Sequence, residues 1–272
     1  MAHANQERWA TLVDAKLRNQ LVTRDNLIFN SRYEGDPTSG KVKIPVRDTE
    51  VAVKEYDKAN GIAAEAGTTT YLDLNIDHDE AVNELIDGYD ADSVPDDIVA
   101  DRLDSAGYSL ALQMETDASA ELVTGGTAMD STAALTKANI YDTIVDARTK
   151  LSETHVPTDG RWLLVSPETY ALLLKSPEFI KASALGDAVV QTGAVGRVAG
   201  FTVFEDTTLG EKVDFIAGHP NWFTRIEEWS EPVAVNDLKG SGTFIGACAV
   251  QGRKIYAHKV TKAQTVLVKS HA

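Results

Sequence analysis

Thr136–Thr207 reads TKANIYDTIVDARTKLSETHVPTDGRWLLVSPETYALLLKSPEFIKASALGDAVVQTGAVGRVAGFTVFEDT, and the fold turns on it. Ile140, Ile144, Ala147 and Leu151 recur at i, i+4, i+7 and i+11, the apolar stripe of one helix. Val-Pro-Thr-Asp-Gly at 156–160 follows as a connector, with Pro157 setting φ and Asp159-Gly160 reversing the chain. Trp162-Leu-Leu-Val165 is a short apolar run bounded by turns, which predicts a buried strand. Ser166-Pro167-Glu168 puts a capping hydroxyl before a proline at the first helical position, and Ser176-Pro177-Glu178 repeats the device. A polar loop over 181–192 precedes a glycine-punctuated run, and 201–204 and 214–217 are strand-like. The stretch predicts a rigid α/β layer with no catalytic group in it.

Working outward, 272 residues with 43% apolar side chains suffice for a sizeable core in one large or two modest domains. No run approaches the roughly 20 apolar residues of a membrane span. The first residues lack the basic start and apolar centre of a signal peptide, so a cytosolic chain is expected. A single cysteine, Cys248, excludes an intrachain disulfide and a cysteine-based metal cluster. The net charge of −15 is uneven. From Asp73 to Asp117 there are 14 acidic residues and one base, whereas from Lys239 onward there are six bases and no acid. An acidic total of this size argues against a protein that grips DNA tightly.

Residues 1–40 read as an arm with a helical start, in which Trp9, Leu12, Val13, Leu17 and Leu21 keep loose helical spacing. Residues 41–46, 51–53 and 71–76 alternate with period two around a polar, glycine-punctuated tip, predicting a long two-stranded excursion. Such a hairpin is marginal alone and needs a surface to lie on. Ser93, Asp96 and Asp97 open a long helix, with Ser93 as the cap and the two acids at its positive end. Its stripe runs Val99, Leu103, Ala106, Leu110, Met114, Ala118 and Leu122 until Gly125-Gly126 stops it. A helix of that length is a beam of about 45 Å. Alternating segments over 244–250 and 254–268 predict further strands.

The order of these parts carries a resemblance. I-Y-D-x-I-V-D-A-x-x-K-L at 140–151 is followed by V-P-x-x-G-R-W-L-L-V-S-P-E-x-Y-A-L-L-L at 156–174. G-x-V-G-R-V-A-G-F-x-V-F at 193–204 and G-R-K-I-Y-A-H-K-V at 252–260 complete the set. Together, over about Val42 to Val268, they resemble the major capsid proteins of tailed bacteriophages, the Hong Kong ninety-seven-type fold. The resemblance implies an α+β fold with an N-terminal arm at 1–40 and an extended E-loop hairpin at 41–76. It also implies a P domain of 77–127 (with the spine helix) joined by 228–272, and an A domain of 128–227. It implies self-assembly into pentamers and hexamers of an icosahedral shell around double-stranded DNA, without sequence-specific binding and without a membrane. A portal, possible decoration proteins and a separate scaffolding protein are the partners it implies, the last because no long extension resembling a fused scaffold precedes the arm. Synthesis in a bacterial cytoplasm and residence in the virion follow.

Under that resemblance the candidate intersubunit contacts are Lys54, Tyr56 and Lys58 near the hairpin tip, and Asp96, Asp97, Asp101 and Asp104 on the long helix. Gly186 and Asp187 in the axial loop and Arg253, Lys254 and Lys259 near the C-terminus complete them. No Lys–Asn crosslink site is identifiable. The acidic helix and the acid-free C-terminal segment are either complementary surfaces between subunits, weakened by salt, or a solvated face that repels packaged DNA.

No enzyme, cofactor or metal is expected. In a strand, Asp77 and Asp79 share one face and His78 and Glu80 the other, which splits that acidic run as a ligand set. His155, His219 and His258 lack histidine partners at ligand spacing. Ser166 lacks a nucleophile elbow, and Gly193–Gly200 lacks the dinucleotide and phosphate-loop spacings. Cys248 lies in a small apolar run that suits an inert thiol. Two rival readings remain: an encapsulin-type nanocompartment shell, and an acidic α/β hydrolase or metal-binding enzyme. Terminase and portal genes beside this one separate the first rival; a bound stoichiometric metal on a lasting monomer is the mark of the second.

Overall fold

The computed structural model describes residues 16, 18, 21–22, 27–33, 40–47, 50–93, 97–176, 196–238 and 243–271. Strands β1 (Lys41–Val46) and β2 (Thr70–Asn75) open the described elements, followed by β3 (His78–Ile86) and the short helix α1 (Gly88–Ser93). Helix α2 (Ile98–Gly125), strand β4 (Thr127–Ala128), helix α3 (Ile140–Glu153), strand β5 (Trp162–Val165) and helix α4 (Pro167–Leu174) come next. Then come β6 (Arg197–Val198), β7 (Phe201–Glu205), β8 (Val213–Gly218), β9 (Phe223–Asp237), β10 (Cys248–Val260) and β11 (Leu267–Ser270). They form a β1–β2 hairpin, a sheet of order β3-β10-β9, and a sheet of order β4-β11-β8-β5-β7-β6.

The six-stranded sheet is covered on both faces, and β5 shows why its sequence is continuously apolar. Leu163 and Val165 point into a cluster with Ile140, Ile144, Ala147 and Leu151 of α3 and Leu173 of α4. Trp162 and Leu164 point the other way, against Ala118 and Leu122 of α2. Alternation along a strand buried on both sides leaves no polar position. The α3 stripe is fully buried at all four predicted residues. Ser166 caps α4 as expected, its Oγ accepting the Thr169 N–H at 3.3 Å. Between β6 and β7, Ala199 and Gly200 both take positive φ, 48° and 88°, as a two-residue hairpin loop requires.

Helix α2 has 28 residues, a beam of about 42 Å. Its first half packs Leu103 and Ala106 against Ile86 and Val250 of the three-stranded sheet, and its second half packs Ala118 and Leu122 on the six-stranded sheet. It therefore spans both sheets. The expected start needs correction: Ser93 ends α1, and Asp97 is the cap, its Oδ1 accepting the Ala100 N–H at 3.3 Å. At the other end Gly126 donates to Leu122 O in extended backbone, so the helix stops where the glycine pair predicts.

The hairpin rests on the molecule through its base alone. Ile44 and Leu74 are buried against Ile226 of β9 and Ala257 of β10. Residues 51–53, read as strand, are unpaired extended chain, because β1 pairs directly with 70–75. Strands β9 and β10 also differ from expectation. The two segments read at 244–250 and 254–268 are one strand, β10, then a 3-10 turn and β11. The gap left between those segments holds a register shift between Gln251 and Arg253, where a Cβ on Gly252 would lie 2.7 Å from the Val233 side chain. β11 belongs to the six-stranded sheet, between β4 and β8. The helical reading of the arm falls largely outside the described residues, as do the 181–192 loop and the Pro177-Glu178 cap.

Candidate assembly surfaces

The hairpin tip carries large apolar side chains that touch little of their own chain. Val51 is 92% exposed and Val53 99%, with Tyr56 and Ile62 also exposed. What order the tip has is local: Asp57 Oδ1 accepts the Ala59 N–H at 2.8 Å, and an isolated bridge joins Asp57 to Gly61. Lys54 pairs with Glu65 across the tip, and Lys58 is exposed. Large apolar side chains grouped in solvent are the ordinary mark of an interaction surface.

On α2, Asp101 pairs with Lys16 at 2.7 Å and Asp104 with Arg18, whose guanidinium also lies 4.9 Å above the Tyr108 ring. About three turns beyond Asp104, the fully buried Glu115 accepts the Val22 N–H on both oxygens, at 2.9 and 3.0 Å. Acidic residues of the helix thus hold the arm at Lys16, Arg18 and Val22, while Asn30 further along bonds to Pro220 and Phe223. Arg18 beside Asp104 holds that carboxyl below its ordinary range. Asp97 is occupied as the cap; Asp96, Gly186 and Asp187 lie outside the described residues.

The basic C-terminal residues find acids within their own chain. Arg253 grips Asp79 with Nε and Nη2, Lys254 reaches Glu227 at 2.9 Å, and Lys259 reaches Glu121 at 3.2 Å. Three of the C-terminal bases are thereby engaged within the chain, and of these pairs Arg253–Asp79 alone joins the two segments of the charge split. That signal was invisible in spacing, since Arg253 and Asp79 are brought together only by the β10–β3 ladder.

Beneath α2 lies a buried polar group that the sequence did not reveal. Arg225 stands 4.0 Å over the Phe29 ring and donates Nε–H to His258 Nε2 at 2.9 Å. Burial lowers Arg225 to about 10. Burial, with the Arg225 charge and His78, lowers His258 to about 3. Accepting at Nε2 places the proton of the neutral ring on Nδ1. Between about pH 6.5 and about pH 3 the unfolded chain holds a proton here that the native chain does not. Stability therefore rises with pH across that window, by about 1.4 kcal/mol per unit, and is lost as pH falls through it. The urea midpoint of unassembled subunits is expected to drop on acidification, with a shallower slope in a His258→Phe variant. Equal slopes would place the acid sensitivity elsewhere. His219 is likewise structural, accepting the Asn221 N–H at 3.2 Å, and His155 is exposed.

The architecture has known counterparts. A family model described as phage capsid protein matches residues 79–260. A solved chain of Mycobacterium phage Che8 is 25% identical with a TM-score of 0.82, over 97% of this chain and 96% of that one. The capsid of cyanophage P-SCSP1u aligns at 13% identity and TM-score 0.79 over 98% and 93% of the two chains. The mature capsid of bacteriophage PhiM1 aligns at 16% and 0.76 over 99% and 92%. No curated relative matches the sequence. The family match covers helix α2, five of the six strands of the larger sheet and the strands β9 and β10 that hold the hairpin; the chain belongs to the phage capsid protein family and is a major capsid subunit that forms a virion shell.

Proposed function

We propose that this subunit closes into the pentamers and hexamers of an icosahedral shell around double-stranded DNA, using the exposed hairpin tip as its reach onto a neighbour. The observation that carries this reading is the contrast along one hairpin. Its base is buried at Ile44 and Leu74, while Val51 and Val53 at the far end stand almost wholly in solvent. Residues 1–40 then act as the arm and 41–76 as the E-loop. Residues 77–127 with 228–272 make the P domain, and 128–227 the A domain, with β11 lending its strand to the A-domain sheet. A separate scaffolding protein guides closure, a portal occupies one vertex, and decoration proteins are optional partners. The protein is made in the cytoplasm of a bacterial host and carries a structural, non-enzymatic role.

The net charge of −15 suits a wall that contains DNA without gripping it. With Arg253, Lys254 and Lys259 engaged internally, the solvated acidic face is the better account of the charge split. Electron microscopy of the purified chain, alone and with the scaffolding protein encoded beside it, is expected to show closed shells. Raising salt should leave capsomer association unchanged. Monomers under every assembly condition would overturn the shell reading, and salt-dissociated capsomers would restore the paired-surface account.

A further inference from the structure

The acidic run at 77–80 divides across β3 as strand alternation demands, and the division creates a new set. Asp79 faces Arg253. On the other face, His78 and Glu80 meet Asp117 of α2, and one ligand atom from each of the three lies within 4.8 Å of the others. His78 Nδ1 is 3.4 Å from Asp117 Oδ2. Donor atoms on a tetrahedral zinc ion with bonds of about 2.0–2.2 Å sit about 3.4 Å apart, so side-chain rotations of about 1 Å complete the geometry.

The surroundings orient these donors. Tyr256 donates its phenol to Asp117 Oδ2 at 2.5 Å, and its ring stacks on His78 with centroids 5.2 Å apart and planes at 10°. Gln113 donates to Asp117 Oδ1 at 3.1 Å. Both ring nitrogens of His78 face carboxylates, Nε2 lying 3.7 Å from Asp77 Oδ1 and Nδ1 3.4 Å from Asp117 Oδ2, so an ion held at Nδ1 would leave Nε2–H turned toward Asp77.

Charge balance points the same way. Asp73, Asp79, Glu84 and Glu121 each pair with a lysine or arginine. Glu80 makes no hydrogen bond or ion pair among the described residues. Its cross-strand neighbour Lys254 is turned to Glu227. Among the described residues the Asp117 carboxylate meets His78, Tyr256 and Gln113 and no lysine or arginine. Two half-buried carboxylates without a basic partner, beside an imidazole, are a site for a divalent cation. One nitrogen among oxygens selects a first-row transition ion over calcium or magnesium, which take oxygen sets.

We propose that His78, Glu80 and Asp117 bind a zinc-type ion, with water in the remaining positions, and that this ion ties strand β3 to helix α2. The test is calorimetric titration of full-length, chelator-stripped subunits with zinc chloride, repeated with cobalt(II) for its visible absorption. One ion per chain is expected, with Tm raised by about 5 °C at a hundredfold excess over Kd. His78→Ala and the isosteric Glu80→Gln should each weaken binding at least about tenfold. Asp79→Asn, on the opposite face, and His155→Ala should leave it unchanged. Absence of a stoichiometric site, or equal binding by wild type, His78→Ala and Glu80→Gln, would overturn the proposal. Neither result would bear on the shell reading, which electron microscopy tests separately.

Discussion

Replacing residues 50–66 by a short Gly-Ser turn is expected to give subunits that fold normally and fail to close a shell. The tip contributes almost nothing to its own chain. Among the described residues its hydrogen bonds stay within the tip, Asp57 with its neighbours and Lys54 with Glu65, and its apolar side chains stand in water. The base pairs of the hairpin, Lys41↔Asn75 through Val46↔Thr70, lie outside the deletion, as do Ile44 and Leu74. Thermal melting of the monomer should therefore be unchanged. On a neighbour, each fully buried valine, isoleucine or tyrosine contributes about 1.5–3 kcal/mol, and a closed shell repeats that contact in every subunit. The expected change is loss of closed particles by electron microscopy, with free subunits or capsomers eluting instead. Closed shells from the deleted chain would show that the tip is not the joint.

The second large effect is inside the subunit. Trp162→Ala should cost about 3–5 kcal/mol in urea unfolding of the unassembled chain. Trp162 is 1% exposed and lies flat against Gly218 of the neighbouring strand, where a Cβ would come within 2.6 Å of ring atom Cζ2. Indole and glycine are thus matched halves of one contact. The ring's Nε1 is buried without a hydrogen-bond partner among the described residues, which subtracts from its net contribution. Trp162→Phe should accordingly cost far less than Trp162→Ala, and Gly218→Val should destabilise by overpacking. If Trp162→Ala costs less than about 1 kcal/mol, the strand is not the centre of the core.

What was legible in the sequence is what local chemistry dictates. The α3 stripe, the β5 run, the Ser166 cap and the glycine stop of α2 each depend on residues within a turn or two of one another. Strand β9 was not legible, because FTRIEEWSEPVAVND carries Pro232 and several acids and has one sparsely covered edge. The start of α2 was displaced because Ser93 and Asp97 are both good caps, and only the structure shows that Ser93 is the last residue of α1. The two segments read at 244–250 and 254–268 left out 251–253, where the alternation slips at a register shift within the single strand β10. The His78–Glu80–Asp117 set was beyond reading for another reason. Alternation correctly separates Asp79 from His78, but the third member arrives from a helix that only the packing of α2 on β3 brings near. Internal pairing of Arg253 and Lys259 was hidden in the same way.

The place of β11 bears on how a cell keeps faulty subunits out of a shell. Residues 267–270 hydrogen-bond to β4 on one side and β8 on the other, and Leu267 and Val268 are buried between the two apolar layers. Every other strand of that sheet leaves the ribosome earlier. Until this one arrives, β4 has no neighbour and β8 presents an open edge, so a nascent or prematurely terminated chain has no finished body to offer its mates. The larger sheet therefore lacks its strand between β4 and β8 until translation has passed residue 270.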